Sequence, residues 1–289
     1  MELKEKILVT GASGFVGQRF CGDADNEMIR TVSLQRTAVE DVDFDGITQV
    51  LHLAGIAHRM EKTEDALYFR VNHELTRQLA IRAKDSGVKH FIFMSTIKVY
   101  GNEVEHLSLD TVCVPDDAYG KSKLMAEEAI LALSSDSFIV SVIRPPLIYG
   151  PGVKGNIDRL LKLLEKRKIV PFGKIENKRS IVAVDNLIAL IMKILETRSQ
   201  GIFLIQDKEP VSTSDLLKSM AMAKGLDTKL VSIPGILRKV IKVLKPEIYK
   251  RVFGSLVVDD SDTRKKLDFS PPLSMDEGME IMIKESKDA

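Results

Sequence analysis

Long apolar runs, cysteine and a surplus of either charge are all scarce in this chain, and each shortage excludes something. No uninterrupted apolar stretch approaches the roughly 20 residues that span a bilayer, so no membrane insertion is expected. Cys21 and Cys113 are the only cysteines. Two thiols build no disulfide framework and suit a reducing compartment. The segment Met1-Glu2-Leu3-Lys4-Glu5-Lys6 runs straight into an apolar strand and leaves no room for a signal peptide, so a cytoplasmic location is expected. The net charge is only +1, which gives no basis for whole-surface attraction to nucleic acid or anionic lipid. The histidines, His52, His58, His73, His90 and His106, lack the spacing with cysteine or carboxylate that a zinc site needs, so no metal is expected. His52 reads as a satisfied core residue of a strand.

What is present is an ordinary globular composition, 44% hydrophobic and 29% charged, long enough at 289 residues to bury a large core. Short apolar strands alternate with amphipathic segments through the first two-thirds, the pattern of a parallel sheet covered by helices. Strands are expected at Ile7–Thr10, Thr31–Leu34, Gln49–Ala54, His90–Ser95 and Phe138–Ile143, with a returning strand at Gly201–Gln206. Helices are expected near Gly14–Cys21, Asp65–Asp85 and Ala118–Leu133. The link from Arg36 to Gln49 is short for a full crossover, so one element there is trimmed. After Pro145-Pro146, glycine and proline cluster around a basic helical run, Arg159 to Lys168, and Val211 onward reads as small helices and loops. The expected fold class is therefore α/β: a Rossmann-like doubly wound parallel sheet with a smaller mixed C-terminal substrate lobe. Residues 1–149 plus about 181–206 would form the dinucleotide-binding part, and 150–180 plus 207–289 the lobe. The basic amphipathic run from Gly235 to Lys245 reads as a surface helix packed on its own domain, with a membrane-surface helix as the alternative.

Four features carry chemistry. Directly behind Ile7-Leu8-Val9 stands Thr10-Gly11-Ala12-Ser13-Gly14-Phe15-Val16-Gly17. A strand feeding a glycine turn and then a helix presents backbone N–H groups to a pyrophosphate, so the turn points to a dinucleotide, although such turns also serve as plain connectors. Its Gly-x-x-Gly-x-x-Gly spacing is one residue longer than the commonest dinucleotide fingerprint. Tyr119 and Lys123 fall four residues apart, on one face of a helix that Pro115-Asp116-Asp117 would start. A free phenol titrates near 10, and a nearby ammonium would bring it down toward use as an acid or base. The alternative is a surface helix with a tyrosine and scattered lysines. Ser95-Thr96 closes an apolar strand at the sheet edge where ligands bind in open α/β folds, unless local backbone bonds alone satisfy the two hydroxyls. Arg36, after Val32-Ser33-Leu34-Gln35, is placed to meet the 2′-phosphate of NADP, and no acid stands there to hold the ribose of NAD. A solvated surface arginine is the other reading. NADP is slightly favoured over NAD.

The order of Gly11/Gly14/Gly17, Leu51-His52-Leu53-Ala54, Asn72, Ser95-Thr96 with Val99-Tyr100-Gly101, Tyr119/Lys123, and Arg144-Pro145 with Tyr149-Gly150-Pro151 resembles the extended short-chain dehydrogenases over essentially the whole chain. These are the NAD(P)-dependent nucleotide-sugar epimerases, dehydratases and reductases. The resemblance implies Thr96, Tyr119 and Lys123 as catalytic residues. It implies cofactor contacts from Gly11, Ser13, Gly14, Phe15, Val16 and Gly17, from Leu53 and Ala54, and from Asn72 and Lys123. Arg179 would grip the pyrophosphate of a UDP-sugar, Ser95 would lie at the substrate, and Asn156 would replace a family asparagine whose place is taken by Leu147. Ile97 and Lys98 stand where a dehydratase carries an acidic pair, which argues against that branch. The remaining resemblance is to reductases of UDP-4-keto-6-deoxy-N-acetyl-hexosamines for surface polysaccharides, with UDP-hexose 4-epimerase as the alternative and a non-catalytic dinucleotide sensor as the reading from another class. A homodimer is a family expectation.

Overall fold

The computed structural model describes residues 5–23, 27–56 and 64–286; His58 lies outside them. The apolar runs become a six-stranded, all-parallel sheet in the order β10-β6-β4-β3-β1-β2. Its strands are β1 (Ile7–Thr10), β2 (Ile29–Val32), β3 (Gln49–His52), β4 (His90–Met94), β6 (Ile139–Arg144) and β10 (Gly201–Leu204). Each lies within two residues of its expected place. Strands covered on both faces read as continuous apolar runs, because alternate side chains enter opposite cores. Leu8, Val50, Phe91, Phe93, Val140 and Val142 point into one core. There they meet α3 (Leu75–Asp85) and α4 (Ala118–Leu131). Ile7, Val9, Leu51, Ile92, Ile143 and Phe203 point into the other. There they meet α1 (Phe15–Asp23) and α6 (Val184–Thr197). The fold is thus doubly wound and Rossmann-like.

The expected trimmed crossover is a 3₁₀ turn, Val39–Asp41. Val39, Val42, Phe44 and Ile47 of that link are buried in the first core, so it covers the sheet without forming a full helix. The expected helix 65–85 is broken by a wider turn: α2 (Asp65–Tyr68) passes through a π-helical turn, Phe69–Glu74, before α3 begins. Turns of this kind often mark functional positions, and this one carries Asn72.

The lobe adds short strands that the sequence reading of the tail had as helices and loops. β11 (Lys229–Ser232) pairs with β8 (Ile169–Gly173), and β12 (Val257–Val258) pairs with β5 (His106–Leu107). Its core gathers α5 (Asn156–Lys166), α7 (Thr213–Lys224) and α10 (Met275–Glu285) around Leu164, Leu217, Met220 and Met279. A two-stranded piece, β7 (Leu147–Tyr149) with β9 (Ile181–Ala183), joins sheet and lobe. Ile148 and Val182 face the sheet core, while Tyr149, Ile181 and Ala183 face the lobe core. Period-two alternation therefore makes one ribbon serve both sides. Asp207 fastens this joint, accepting hydrogen bonds from the Tyr149 hydroxyl (2.7 Å), Ala183 N (2.8 Å) and Asn186 Nδ2 (2.7 Å).

The run 235–245 departs from its expected packing. It forms α8 (Gly235–Leu244), which lies against α9 (Pro246–Phe253) and buries none of its residues. Arg238 and Lys242 turn toward the rings of Tyr249 and Phe253, and this leaves the apolar side of α8 outward. No helix among the described residues is long and apolar enough to cross a membrane.

Candidate active site

Strand order reverses between β1 and β3, and the crevice at their carboxyl ends is where open α/β sheets bind ligands. The glycine turn fills its floor. Gly11 has φ +73, and a Cβ there would stand 2.6 Å from Ala54 N; a Cβ on Gly17 would stand 2.2 Å from Gly11 O. The first and third glycines therefore let β1, the loop after β3 and α1 pack in contact. Ser13 and Gly14 remain exposed at the N-terminus of α1, Val16 turns toward the sheet core, and Phe15 is partly buried. Leu53 N donates to Thr10 O (3.1 Å) and Ala54 N to Thr10 Oγ1 (3.2 Å). His52 bridges Thr10 Oγ1 (2.7 Å) and Thr76 Oγ1 (2.9 Å). Burial, with Lys123 nearby, brings its imidazole down to about 3, so it stays neutral. His90 likewise lies buried between Gln49 (3.0 Å) and Ser141 (2.7 Å).

β4 ends at Met94, and Thr96 caps the 3₁₀ turn Ile97–Tyr100 by accepting from Lys98 N at 3.2 Å. The expected start of α4 takes the form of an Asp117 cap, whose carboxylate accepts from Gly120 N at 2.7 Å. These two starts bring Tyr119 to Thr96, and their side chains hydrogen-bond. One turn on, Lys123 is buried; its Nζ donates to Met94 O at 2.8 Å and sits 4.5 Å from the centre of the Phe93 ring. A Cβ on Gly55 would lie 3.2 Å from Lys123 Nζ and 3.0 Å from Asn72 Oδ1, so the loop after β3 approaches this pair. Thr96, Tyr119, Lys123 and Asn72 thus meet at one edge.

The electrostatics correct one expectation. Burial pushes the Tyr119 phenol up to about 12, against the lowering influence of Thr96. Burial brings Lys123 down to about 8, opposed by Glu127. Lys123 does not lower the tyrosine here, because its ammonium is turned onto the Met94 carbonyl and the Phe93 face.

Asn72 is at the site, but its carboxamide is engaged. It accepts from Ile56 N (2.8 Å) and donates to Ile56 O (3.1 Å) and Ser122 Oγ (3.1 Å). Ser122 in turn donates to Tyr119 O (2.8 Å). Ser95 points away from the crevice and donates to Glu127. Glu127 also holds Arg144 through Nε at 3.1 Å to each oxygen, and Arg144 donates to the Tyr100 hydroxyl at 2.7 Å. Ser122, Glu127 and Arg144 did not figure as site residues in the sequence reading. The signal for Glu127 was its place four residues beyond Lys123 and eight beyond Tyr119, on one helical face.

Farther out, Arg36 is exposed in the turn after β2. Arg179 is partly exposed, and its Nη1 donates to Gly254 O (3.1 Å) and Lys250 O (3.5 Å) at the end of α9. Burial lowers its pKa below the usual arginine value. Asn156 is exposed at the first position of α5, and Leu147 is exposed on β7.

Residues 7–205 match the NAD dependent epimerase/dehydratase family, and the chain belongs to it. Within that family it is 34% identical to the UDP-glucose 4-epimerase of Vibrio cholerae, over 96% of this chain and 94% of that protein. The UDP-2-acetamido-2,6-beta-L-arabino-hexul-4-ose reductase of Pseudomonas aeruginosa is 28% identical across 74% of this chain and 56% of that protein. The solved UDP-N-acetylglucosamine 4-epimerase of Bacillus cereus has the same fold, with a TM-score of 0.81 at 20% identity, covering 98% of this chain and all of that one.

Proposed function

We propose that this protein is an NAD(P)-dependent oxidoreductase acting at C4 of a UDP-sugar, and that its reaction is reduction of a UDP-4-keto-6-deoxy-N-acetyl-hexosamine. The observation that carries the reading is the hydrogen-bonded pair Thr96–Tyr119 beside buried Lys123, at the sheet edge shared with the glycine turn. The residues present fit a dinucleotide. Gly11 and Gly17 keep the turn free of Cβ atoms; Gly14 N is held by Gly11 O at 2.9 Å, and the exposed residues Ser13 and Gly14 leave the start of α1 open to a pyrophosphate. Lys123 stands where its ammonium can grip a ribose, and Asn72 fixes the neighbouring Ile56 backbone. Phe15 and Ala54 border this cradle, Val16 and Leu53 back it from the sheet core, and Arg36 lies on the rim. A bound nicotinamide supplies the hydride donor or acceptor.

The chain's own part is the proton. With its pKa near 12, Tyr119 holds its proton at neutral pH and is ready to deliver it from Oη to a C4 carbonyl oxygen. Thr96 Oγ1 orients that phenol. Arg179 would contact the UDP pyrophosphate by releasing the α9 carbonyls it now holds. Asn156 would reach the sugar from the start of α5. Arg36, suited to an exchangeable NADP(H), favours reduction, while the likeness to the Vibrio cholerae protein favours a second reading, 4-epimerisation with the cofactor cycled in place. Retention of Thr96, Tyr119 and Lys123 together argues against a silent sensor. We place the reaction in the cytoplasm and expect a homodimer.

Incubating the protein with a UDP-4-keto-6-deoxy-N-acetyl-hexosamine and NADPH or NADH tests the reading. Stoichiometric loss of nicotinamide absorbance supports reduction. No loss, with interconversion of UDP-hexoses at catalytic NAD, would replace it with epimerisation.

A further inference from the structure

A surface helix of a globular protein ordinarily buries its apolar stripe and shows its charges to water. α8 leaves most of its apolar stripe in water. Its cations Arg238 and Lys242 face α9, with the Arg238 guanidinium 4.6 Å from the Phe253 ring centre and Lys242 Nζ 5.5 Å from that of Tyr249. Ile236, Val243 and Leu244 are more than 70% exposed, and Leu237 and Val240 lie exposed beside them. At 100° per residue these five fall within one arc of about 120°. Ile248 of α9 adds to the exposed apolar side chains.

Charge says what this face fits. From Gly235 to Phe253 there are six cations (Arg238, Lys239, Lys242, Lys245, Lys250 and Arg251) against one acid, Glu247, in a chain whose net charge is only +1. α8 itself contains no acid. The hairpin is held to the body rather than trailing from it: Lys250 pairs with Glu103, and Arg179 holds the end of α9. An outward apolar arc with flanking lysines is the pattern of a helix that lies in the plane of an anionic bilayer. A second copy would have to bring acids to this face; the exposed acids Glu40, Asp41, Asp43 and Asp45 are the run that could do so, and self-association is therefore one outcome of the test below. At ten residues, about 15 Å long, α8 can lie on a membrane but cannot cross it.

We propose that the α8–α9 hairpin docks this protein peripherally on an anionic phospholipid surface, through the outward face of Ile236, Val240, Val243 and Leu244 with Lys239 at its margin and Lys245 just past the end of the helix. The proposal does not depend on the reaction assigned above, because none of these residues belongs to the proposed site.

Co-sedimentation of the full chain with vesicles tests it, comparing phosphatidylcholine alone with phosphatidylcholine plus phosphatidylglycerol. The protein is expected to pellet with the anionic vesicles, to stay in solution with the neutral ones, and to be released by salt. Lys239→Gln with Lys245→Gln should weaken binding roughly 30-fold, at about fivefold for each cation near the surface. Val243→Ser with Leu244→Ser should weaken it by at least about tenfold. All four positions are exposed, so these variants are expected to keep the far-UV circular dichroism and thermal transition of the parent. Equal behaviour toward both vesicle types, or no pelleting with either, would overturn the proposal. So would sedimentation velocity showing self-association that the Val243/Leu244 variant abolishes, since a second copy would then cover the face.

Discussion

The carboxyl end of β4 separates two polar regions that start from adjacent residues but differ in what their polar groups meet. Behind the strand, Ser95, Glu127, Arg144 and Tyr100 form a closed set in which each polar group meets another side chain of the set. In front of it, Thr96 bonds Tyr119 and the Lys98 N–H, Lys123 bonds the Met94 carbonyl, and all three adjoin the loop after β3. Both regions draw on α4, one turn apart. Closed networks fix geometry, because a buried charge without its partner is costly. Groups with capacity left over can accept a ligand. The difference assigns the rear set to positioning and the front set to chemistry.

The largest effect should come from the front. Tyr119→Phe removes the proton but keeps the ring, which packs 6.0 Å from Tyr68. Turnover of a UDP-4-keto sugar should fall by about 10²- to 10⁴-fold, with an almost unchanged thermal transition. Full activity in that variant would remove Tyr119 from the mechanism.

Disrupting the rear set should cost stability first. Glu127→Ala leaves the buried Arg144 without its counter-charge and Ser95 without its acceptor. A loss of about 3–5 kcal/mol is expected in denaturant unfolding. Activity should decline only as far as the Thr96 turn loosens and as Lys123, without the support of Glu127, loses its proton at lower pH. If turnover instead fell as far as in Tyr119→Phe while the fold persisted, the division into front and rear would be wrong.

The pH profile sharpens the front set from within. Lys123 titrates at about 8 and Tyr119 at about 12. The ammonium is complete below 8 and falls about tenfold per pH unit above it, while the phenol keeps its proton throughout that range. A declining limb in kcat/KM for the cofactor near pH 8 is therefore the lysine's. It should persist in the residual rate of Tyr119→Phe and vanish in Lys123→Met. A limb that moves with Tyr119 would reverse the assignment.

The six strands were legible because residues buried on both faces are apolar without interruption, and the starts of α1 and α4 because turn and capping residues announce them. The pairings of β7 with β9 and of β5 with β12 were not. Strands of two or three residues carry no period of their own, and their partners lie 34 and 151 positions away. In the site, the Tyr119/Lys123 spacing was readable, since four residues on a helix fix a shared face. The direction of the Tyr119 shift was not, because it depends on burial and on where the lysine ammonium turns. Ser95 shows the same limit: two adjacent hydroxyls look alike in sequence, and only the position of Glu127 decides which one faces inward. The outward face of α8 was hidden for a related reason. Amphipathic spacing reveals that a helix has two sides and leaves open which of them meets the protein.

The smallest effect expected lies at the rim. Thr10 is in register with Val32, so the turn after β2 begins beside the glycine turn. Arg36 stands at the close of that turn, its N–H bonded to Ser33 O at 2.9 Å and its side chain exposed. β2 ends two residues earlier than the sequence suggested, which moves Arg36 off the strand and onto a connection able to adjust to a ligand. An exposed charged contact with phosphate sits at the weak end of charge-assisted hydrogen bonds. Arg36→Ala should therefore raise the dissociation constant for NADPH by roughly tenfold and leave NADH unchanged, as read by fluorescence titration. The loss should shrink in high salt. Equal binding of NADPH before and after the substitution would place Arg36 among ordinary surface arginines. It would also withdraw the argument for an exchangeable NADP(H), and with it the residue that favours reduction over epimerisation.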